Sequence, residues 1–227
     1  MANNDETKQQ FFVYGEKELG ALCRKDKTFA EAAGRIGEIR RAVTPDLFTA
    51  LVNAIVGQQI SSKAQKTIWK RVTDELTNVT PDSLVNLPVE RIQQFGISMR
   101  KAGYIRDLAH RASSGGFDIH GLYELPDEQV ISKLCQLNGV GVWTAEMLLL
   151  FSMQRPDVLS YGDLAIQRGL RTLYGHRAIT RALFDKYKRR YSPHGSVASL
   201  YLWEIASGKW GYRDPAPIKS VKRKEMK

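Results

Sequence analysis

Apolar residues recur along much of this chain with the spacing of an α-helix. The clearest segment follows Thr44-Pro45-Asp46, where threonine can cap a helix and proline is tolerated at the first helical position. The apolar residues after it fall at helical spacing: Leu47, Phe48, Leu51, Val52, Ile55 and Val56. The pattern predicts a buried helix.

Further helices are predicted where a capping residue or a proline precedes the same spacing. They cover residues 63–76, two short segments after Thr80-Pro81-Asp82 and Leu87-Pro88-Val89, residues 100–112, a segment starting at Leu125-Pro126, and residues 196–207. Helical sequence also runs through residues 11–41, and a basic helix follows residue 163, whose arginines and lysines we interpret as a solvated face. No alternating strand pattern of useful length occurs, so the predicted fold class is all-α.

A helical hairpin is predicted between residues 131 and 153. Ile131, Leu134 and Leu137 share one apolar face, and a turn containing Gly139 and Gly141 follows them. A second apolar helix is predicted from about residue 143 to residue 153, before a proline at 156. The amides that begin the second helix lack intrahelical partners and lie at the positive end of the helix dipole, so they form a site for an anion.

The overall charge indicates which anion. The 227 residues include 34 Lys and Arg against 24 Asp and Glu, a formal net charge of +10, and 43% are hydrophobic. The chain can therefore build a core and still attract a polyanion over several ångströms. Nucleic acid is the first candidate partner, and an anionic membrane surface is the second.

Several other classes are disfavoured. The N-terminus lacks the basic start and apolar core of a signal peptide, and no apolar run approaches the ~20 residues of a membrane span, so we expect a soluble intracellular protein. Cys23 and Cys135 are far apart, which leaves no zinc motif or disulfide framework. The four histidines are scattered without ligand spacing.

A second unusual turn follows the buried helix. The segment Gly57-Gln58-Gln59-Ile60-Ser61-Ser62, here called the amide corner, carries long side chains where a connector usually has Asn, Asp or Gly. It is either an ordinary capped corner between helices or a wedge that enters the minor groove and fills the gap left by an extruded base.

The motif LxGVGxWTA at residues 137–145, followed by YGDLAIQRG at 161–169, resembles the helix-hairpin-helix (HhH-GPD) DNA glycosylase superfamily. The resemblance covers roughly residues 45–210 and includes the amide corner. It implies that Asp163 is the catalytic aspartate. An aspartate before Leu164-Ala165-Ile166 also fits a simple helix cap, and the two roles are compatible.

The resemblance also implies the domain organisation. A central lobe with the wedge and the hairpin would span residues 46–156, and a second lobe would combine residues 11–45 and 157–227, with the active cleft between the two lobes. Residues 1–10 and about 219–227 are expected to be flexible. The resemblance is to a short form without the extra N-terminal domain of the longer bacterial members.

Residue 143 decides the type of chemistry. Members that also cut the strand have a lysine here that attacks the sugar and forms a Schiff base, which the indole of Trp143 cannot do. Hydrolysis by water is therefore implied, with Asp163 stabilising the positive charge on the sugar or orienting the water. The base pocket is assigned to Trp143, Trp203, Met147 and Tyr161; the alternative for either tryptophan is core packing. Met147 replaces an aromatic residue of some relatives.

DNA contacts and an ion complete the expected site. The residues assigned to DNA binding are Gln58, Gln59, Ile60, Ser61, Gly139, Val140, Gly141 and Thr144. Gln59 occupies the position of an apolar wedge residue in other members. The family hairpin also holds a structural Na⁺ or K⁺ through main-chain carbonyls, which correspond to Cys135, Leu137 and Val140. No iron–sulfur cluster or other cofactor is expected.

The resulting hypothesis is a monomeric, monofunctional glycosylase of the 3-methyladenine glycosylase II type. It would excise alkylated purines such as 3-methyladenine and 7-methylguanine from double-stranded DNA, in the cytoplasm or nucleoid of a prokaryote or the nucleus of a eukaryote. The alternatives are a non-catalytic helix-hairpin-helix module that only holds DNA, or a glycosylase for mismatched or oxidised bases. The missing lysine and cluster cysteines disfavour the common forms of the latter.

Overall fold

The computed structural model describes residues 9–215. The described chain is helical, with a short 3₁₀ turn at His120–Glu124 and one isolated bridge between Phe11 and Ala42. The α-helices are α1 (Glu16–Lys25), α2 (Lys27–Ile36), α3 (Leu47–Gly57), α4 (Ser62–Glu75), α5 (Pro81–Val85), α6 (Val89–Gln93), α7 (Met99–Ser113), α8 (Asp127–Leu134), α9 (Val142–Phe151), α10 (Leu164–Tyr174), α11 (Arg181–Tyr191) and α12 (Gly195–Ala206). The all-α prediction is confirmed. The segments expected to be flexible lie outside the described residues, apart from Gln9 and Gln10.

The chain divides into two compact units. In the described part, unit 1 contains residues 9–12 and 42–155, and unit 2 contains residues 13–41 and 156–215. These boundaries differ by a few residues from the predicted lobes, because backbone hydrogen bonds tie the chain near 10 and 42–44 to unit 1. The Val43 amide donates to the Gln10 carbonyl at 3.0 Å, and the Thr44 amide donates to the Phe151 carbonyl at 2.8 Å.

Unit 1 is built around α3, whose six predicted apolar residues are all buried. The helix packs against α4, α7 and α9. It begins two residues later than the sequence suggested: Asp46, rather than Thr44, is the N-cap, and its Oδ1 accepts from the Thr49 amide at 2.7 Å. The Pro45 carbonyl is used instead by the hydroxyls of Tyr123 and Ser152, at 3.0 and 3.3 Å.

Unit 2 centres on the packing of α10 against α12. Gly169 makes this close approach feasible, because a Cβ at this position would lie 2.4 Å from the Leu202 carbonyl oxygen. The basic segment after residue 163 forms two helices, and the solvated-face interpretation is wrong for two of its arginines. The largely buried Arg171 pairs with Asp214, and Arg190 pairs with the buried Asp26 at 2.6 Å.

Within residues 9–215, no helix is both long enough and apolar enough to cross a bilayer.

Candidate active site

The predicted hairpin is formed by α8, a turn over residues 135–141, and α9. Gly139 has a φ of +83°, and a Cβ there would lie 2.7 Å from Cδ2 of Tyr104. Both its conformation and its surroundings therefore require glycine. Gly141 differs, since a Cβ at this position would meet nothing within 4 Å and its φ is −98°.

Gly141 instead matters as the N-cap of α9. Glycine has no side-chain oxygen, so residue 141 cannot itself cap the first-turn amides. The Gly141 carbonyl accepts the first hydrogen bond of the helix, from the Ala145 amide at 3.0 Å. Val142 in this first turn is 57% exposed. The start of α9 thus combines the positive end of a helix dipole with access from solvent.

The amide corner lies beside this turn. The Gln58 side-chain amide donates to the Gly139 carbonyl, so two segments predicted to bind DNA are joined directly. Gln59 is exposed with a φ of +56°, Ile60 is 37% exposed, and the Ser61 hydroxyl caps α4 by accepting from the Ala64 amide at 3.2 Å. The corner is therefore a capped helix junction that also presents long side chains.

A cavity of about 520 Å³ opens within unit 1 between the corner and α9. Trp143, Thr144 and Met147 line it together with Gln58 and Gln59. The remaining wall includes the apolar side chains Ala50, Ala54, Leu148 and Phe151. Trp143 is 50% exposed, which excludes the core-packing alternative for this residue. Its indole forms part of the cavity wall.

The other two predicted pocket residues belong to unit 2. Trp203 is partly buried on α12, and the Arg41 guanidinium carbon lies 5.8 Å from its ring centroid. Tyr161 packs edge-on against Phe184, with their ring centroids 5.1 Å apart. The guanidinium carbon of Arg181 lies 5.2 Å from the centroid of the Tyr161 ring. The predicted set thus divides between the units, and no sequence pattern placed Arg41 or Arg181 beside these rings.

Asp163 is buried at the start of α10. Its Oδ1 accepts from the amides of Ala165 and Ile166 at 2.8 and 2.9 Å, so the predicted capping role is present. These two bonds fix the direction of the carboxylate. A fixed negative charge can stabilise a developing positive charge without reorganising.

The loop before Asp163 is anchored to α12 by two buried serines. The Val158 amide donates to the Ser196 hydroxyl at 2.9 Å, and the Ser199 hydroxyl donates to the Val158 carbonyl at 2.8 Å. Sequence reasoning missed both residues. Their signal was the pair of hydroxyls three residues apart on a mostly apolar helix.

The segment assigned to a monovalent ion is compatible with one. Cys135, Leu137 and Val140 lie in the hairpin turn, where the Leu137 carbonyl accepts from the Val140 amide at 3.1 Å and keeps a second lone pair. Main-chain oxygens of this kind coordinate K⁺ or Na⁺. Burial first, and Glu146 second, raise the pKa of the Cys135 thiol, which disfavours the thiolate needed for a soft metal. Among the described residues, no cluster of His, Cys, Asp and Glu could hold a metal.

The sequence of this chain is similar to a known protein family and to individual relatives within it. Residues 52–192 match the model of the HhH-GPD superfamily base excision DNA repair proteins. DNA-3-methyladenine glycosylase 1 of Schizosaccharomyces pombe is 30% identical over 196 residues, which cover 84% of this chain and 86% of that protein.

Two solved structures extend the likeness to the fold. The crystal structure of a DNA-3-methyladenine glycosidase from Bacillus halodurans has a TM-score of 0.78 at 34% identity, covering 89% of this chain and 94% of that one. A Schizosaccharomyces pombe 3-methyladenine DNA glycosylase in complex with abasic DNA has a TM-score of 0.72 at 28% identity, covering 84% and 97%.

Proposed function

Because the chain belongs to the HhH-GPD superfamily of base excision DNA repair proteins, we propose that it excises alkylated purines from double-stranded DNA as a monofunctional glycosylase. The proposal depends mainly on the position of Trp143, whose indole is half exposed and lies on the wall of the cavity in unit 1. The 3-methyladenine glycosylases among its relatives support the same substrate class.

The residue at 143 determines the reaction type. An indole cannot attack the sugar, so no Schiff base forms there and the strand is not cut. Water breaks the N-glycosyl bond, and the products are a free base and an abasic site. Asp163 stabilises the positive charge that develops on the sugar or orients the water, and its two capping hydrogen bonds support this role because they fix the carboxylate in advance.

Charge explains the selectivity for alkylated purines. Such a base carries a formal positive charge, and stacking on Trp143 adds a cation–π energy of roughly 0.5–2 kcal/mol that an undamaged base lacks. Met147 supplies an adaptable apolar contact on the same wall. Trp203 and Tyr161 are assigned to the same base, and the guanidinium groups of Arg41 and Arg181 already lie near their rings.

DNA is held mainly through its backbone. The start of α9 receives a phosphate at Gly139, Val140, Gly141 and Thr144, and a monovalent ion on the carbonyls of the turn would add positive charge there. The amide corner supplies the side chain that fills the gap left by the extruded base. The net charge of +10 favours the encounter with DNA and makes it salt-dependent. The protein is proposed to act as a monomer.

A panel of oligonucleotides tests this function. Each duplex carries one lesion, and base release is measured under single-turnover conditions. 3-Methyladenine and 7-methylguanine should be released readily, neutral hypoxanthine and ethenoadenine more slowly, and 8-oxoguanine hardly at all. Preference for 8-oxoguanine or a mismatched thymine, or strand cleavage without added alkali, would refute the assignment.

A further inference from the structure

Lys101, in the first turn of α7, reaches across unit 1 to the amide corner. Its Nζ donates to the carbonyls of Val56 and Gln58 at 3.0 and 2.6 Å. Carbonyls at the end of a helix lack intrahelical partners, and α3 ends at Gly57, so the ammonium satisfies two of them at the negative end of the dipole. Burial first, and the charge of Arg100 second, lower the pKa of Lys101. The ammonium of Lys101 therefore loses part of its hydration shell and is held by the two carbonyls instead.

The same face of α7 also supports the hairpin turn. Tyr104, three residues after Lys101, lies directly against Gly139, as the 2.7 Å approach of a Cβ there to the tyrosine ring shows. The Gln58 side chain closes the connection by donating to the Gly139 carbonyl. Lys101, Gln58 and Gly139 thus form a continuous chain of contacts from α7 through the corner to the turn.

Gln59, the residue after Gln58, depends on these contacts to keep its backbone conformation. Gln59 has a φ of +56°, which residues with a side chain rarely adopt. Such a conformation persists only where its surroundings hold it. The anchored carbonyl and side chain of Gln58 are immediately adjacent to Gln59, whose own side chain is exposed at the mouth of the cavity.

We infer that Lys101 is a positioning residue that sets the direction in which Gln59 enters the DNA stack. Gln58 then serves as an internal connector between the corner and the hairpin, rather than as the inserted side chain. Lys101 acts through the backbone of the corner and touches no base. This inference rests on the proposed function, because it assigns the corner to base extrusion.

The test compares Lys101→Met with Arg100→Met. Both variants remove one positive charge from the same turn of α7 and keep an unbranched apolar side chain. Arg100 is exposed and serves as the control for charge alone. Thermal unfolding of both variants first establishes that they are folded.

The probe is a duplex in which a tetrahydrofuran abasic analogue faces 2-aminopurine. A side chain that enters the gap unstacks the 2-aminopurine and raises its fluorescence, and no base needs to be excised. With saturating protein, we expect Arg100→Met to give the wild-type rise and Lys101→Met to give a third of it or less. The two variants should lose similar affinity for undamaged DNA, since each removes one charge.

Excision provides a second readout. The single-turnover rate constant should fall by about 10- to 100-fold in Lys101→Met, as expected for a displaced positioning contact, and stay within about twofold in Arg100→Met. Equal fluorescence in the two variants would overturn the inference. If wild-type protein released no alkylpurine, the proposed function would fail, whereas the fluorescence comparison would still decide the role of Lys101.

A second variant covers the case in which Lys101→Met does not fold. Gln58→Met removes the amide that donates to Gly139 and leaves Lys101 in place. It should show the same selective loss of 2-aminopurine fluorescence. A wild-type rise in folded Gln58→Met would contradict the proposed connection.

Discussion

Two regions of unit 2 place a buried aspartate at the start of a helix. Asp26 caps α2 and Asp163 caps α10, and each residue is 6% exposed. Oδ1 of Asp26 accepts from the Phe29 amide at 3.0 Å, much as Oδ1 of Asp163 accepts from two amides of its own helix. Both carboxylates therefore act as helix N-caps, Asp26 with one amide and Asp163 with two.

The second carboxylate oxygen of Asp26 binds side chains of two other helices. Oδ2 of Asp26 also accepts from the Tyr174 hydroxyl at 2.8 Å and from Nη1 of Arg190 at 2.6 Å, which links α2 to α10 and α11. Burial alone would raise the pKa of Asp26, but the Phe29 amide, the Tyr174 hydroxyl and Arg190 outweigh it and lower the pKa. A helix cap therefore does not reveal the role of an aspartate. An ion pair that joins three helices identifies Asp26 as structural.

The largest effect is expected from Asp163→Asn. Asparagine caps a helix about as well as aspartate, so the protein should fold normally. The loss of a preorganised charge should lower the single-turnover rate of base release by about 10²–10³-fold. Release from methylated DNA and thermal unfolding would be measured on the same preparation. Near wild-type release from the folded variant would remove Asp163 from the mechanism.

The reciprocal change, Asp26→Asn, should act on stability. It removes the charge that Arg190 binds, and we expect a loss of roughly 1–3 kcal/mol in the free energy of unfolding. The excision rate at 25 °C should stay within about twofold of wild type, because no reacting group is altered.

Asp185→Asn is the matched control for Asp26→Asn. Asp185 pairs with Arg181 at 3.0 Å on the exposed face of α11, and such a surface pair contributes at most about 1 kcal/mol. Denaturant unfolding of both variants makes the comparison. If Asp26→Asn were no less stable than Asp185→Asn, the structural assignment of Asp26 would be wrong.

The smallest effect concerns acid stability. Because the pKa of Asp26 is lower in the folded state, its contribution is complete above the usual aspartate value of about 3.9 and is lost as the pH falls through the lower folded value. The difference in melting temperature between wild type and Asp26→Asn should therefore shrink as the pH falls from about 5, where the contribution is complete, to values below about 3.9. A constant difference over this range would show that the charge of Asp26 contributes nothing.

Several features followed from the sequence because their causes are local. Helical spacing placed α3, α4, α7, α9 and α12 to within a residue or two, and the all-α class and the superfamily are confirmed. The glycines of the hairpin and the cap at Asp163 were also visible, since turn and capping chemistry depend on neighbouring residues. At the start of α3 the sequence offered two capping residues, and the structure uses Asp46 rather than Thr44, while the Pro45 carbonyl binds the hydroxyls of Tyr123 and Ser152.

Contacts between distant segments were decided only by the tertiary structure. The sequence identified Gly139 and Gly141 alike, yet only Gly139 lies against Tyr104. Nothing in the neighbourhood of Lys101 predicts that its ammonium binds the carbonyls of Val56 and Gln58, more than forty residues earlier. Periodicity and capping report which face of a helix is apolar and where it starts. They do not report which other helix meets that face, because that choice depends on how the side chains of the whole unit pack.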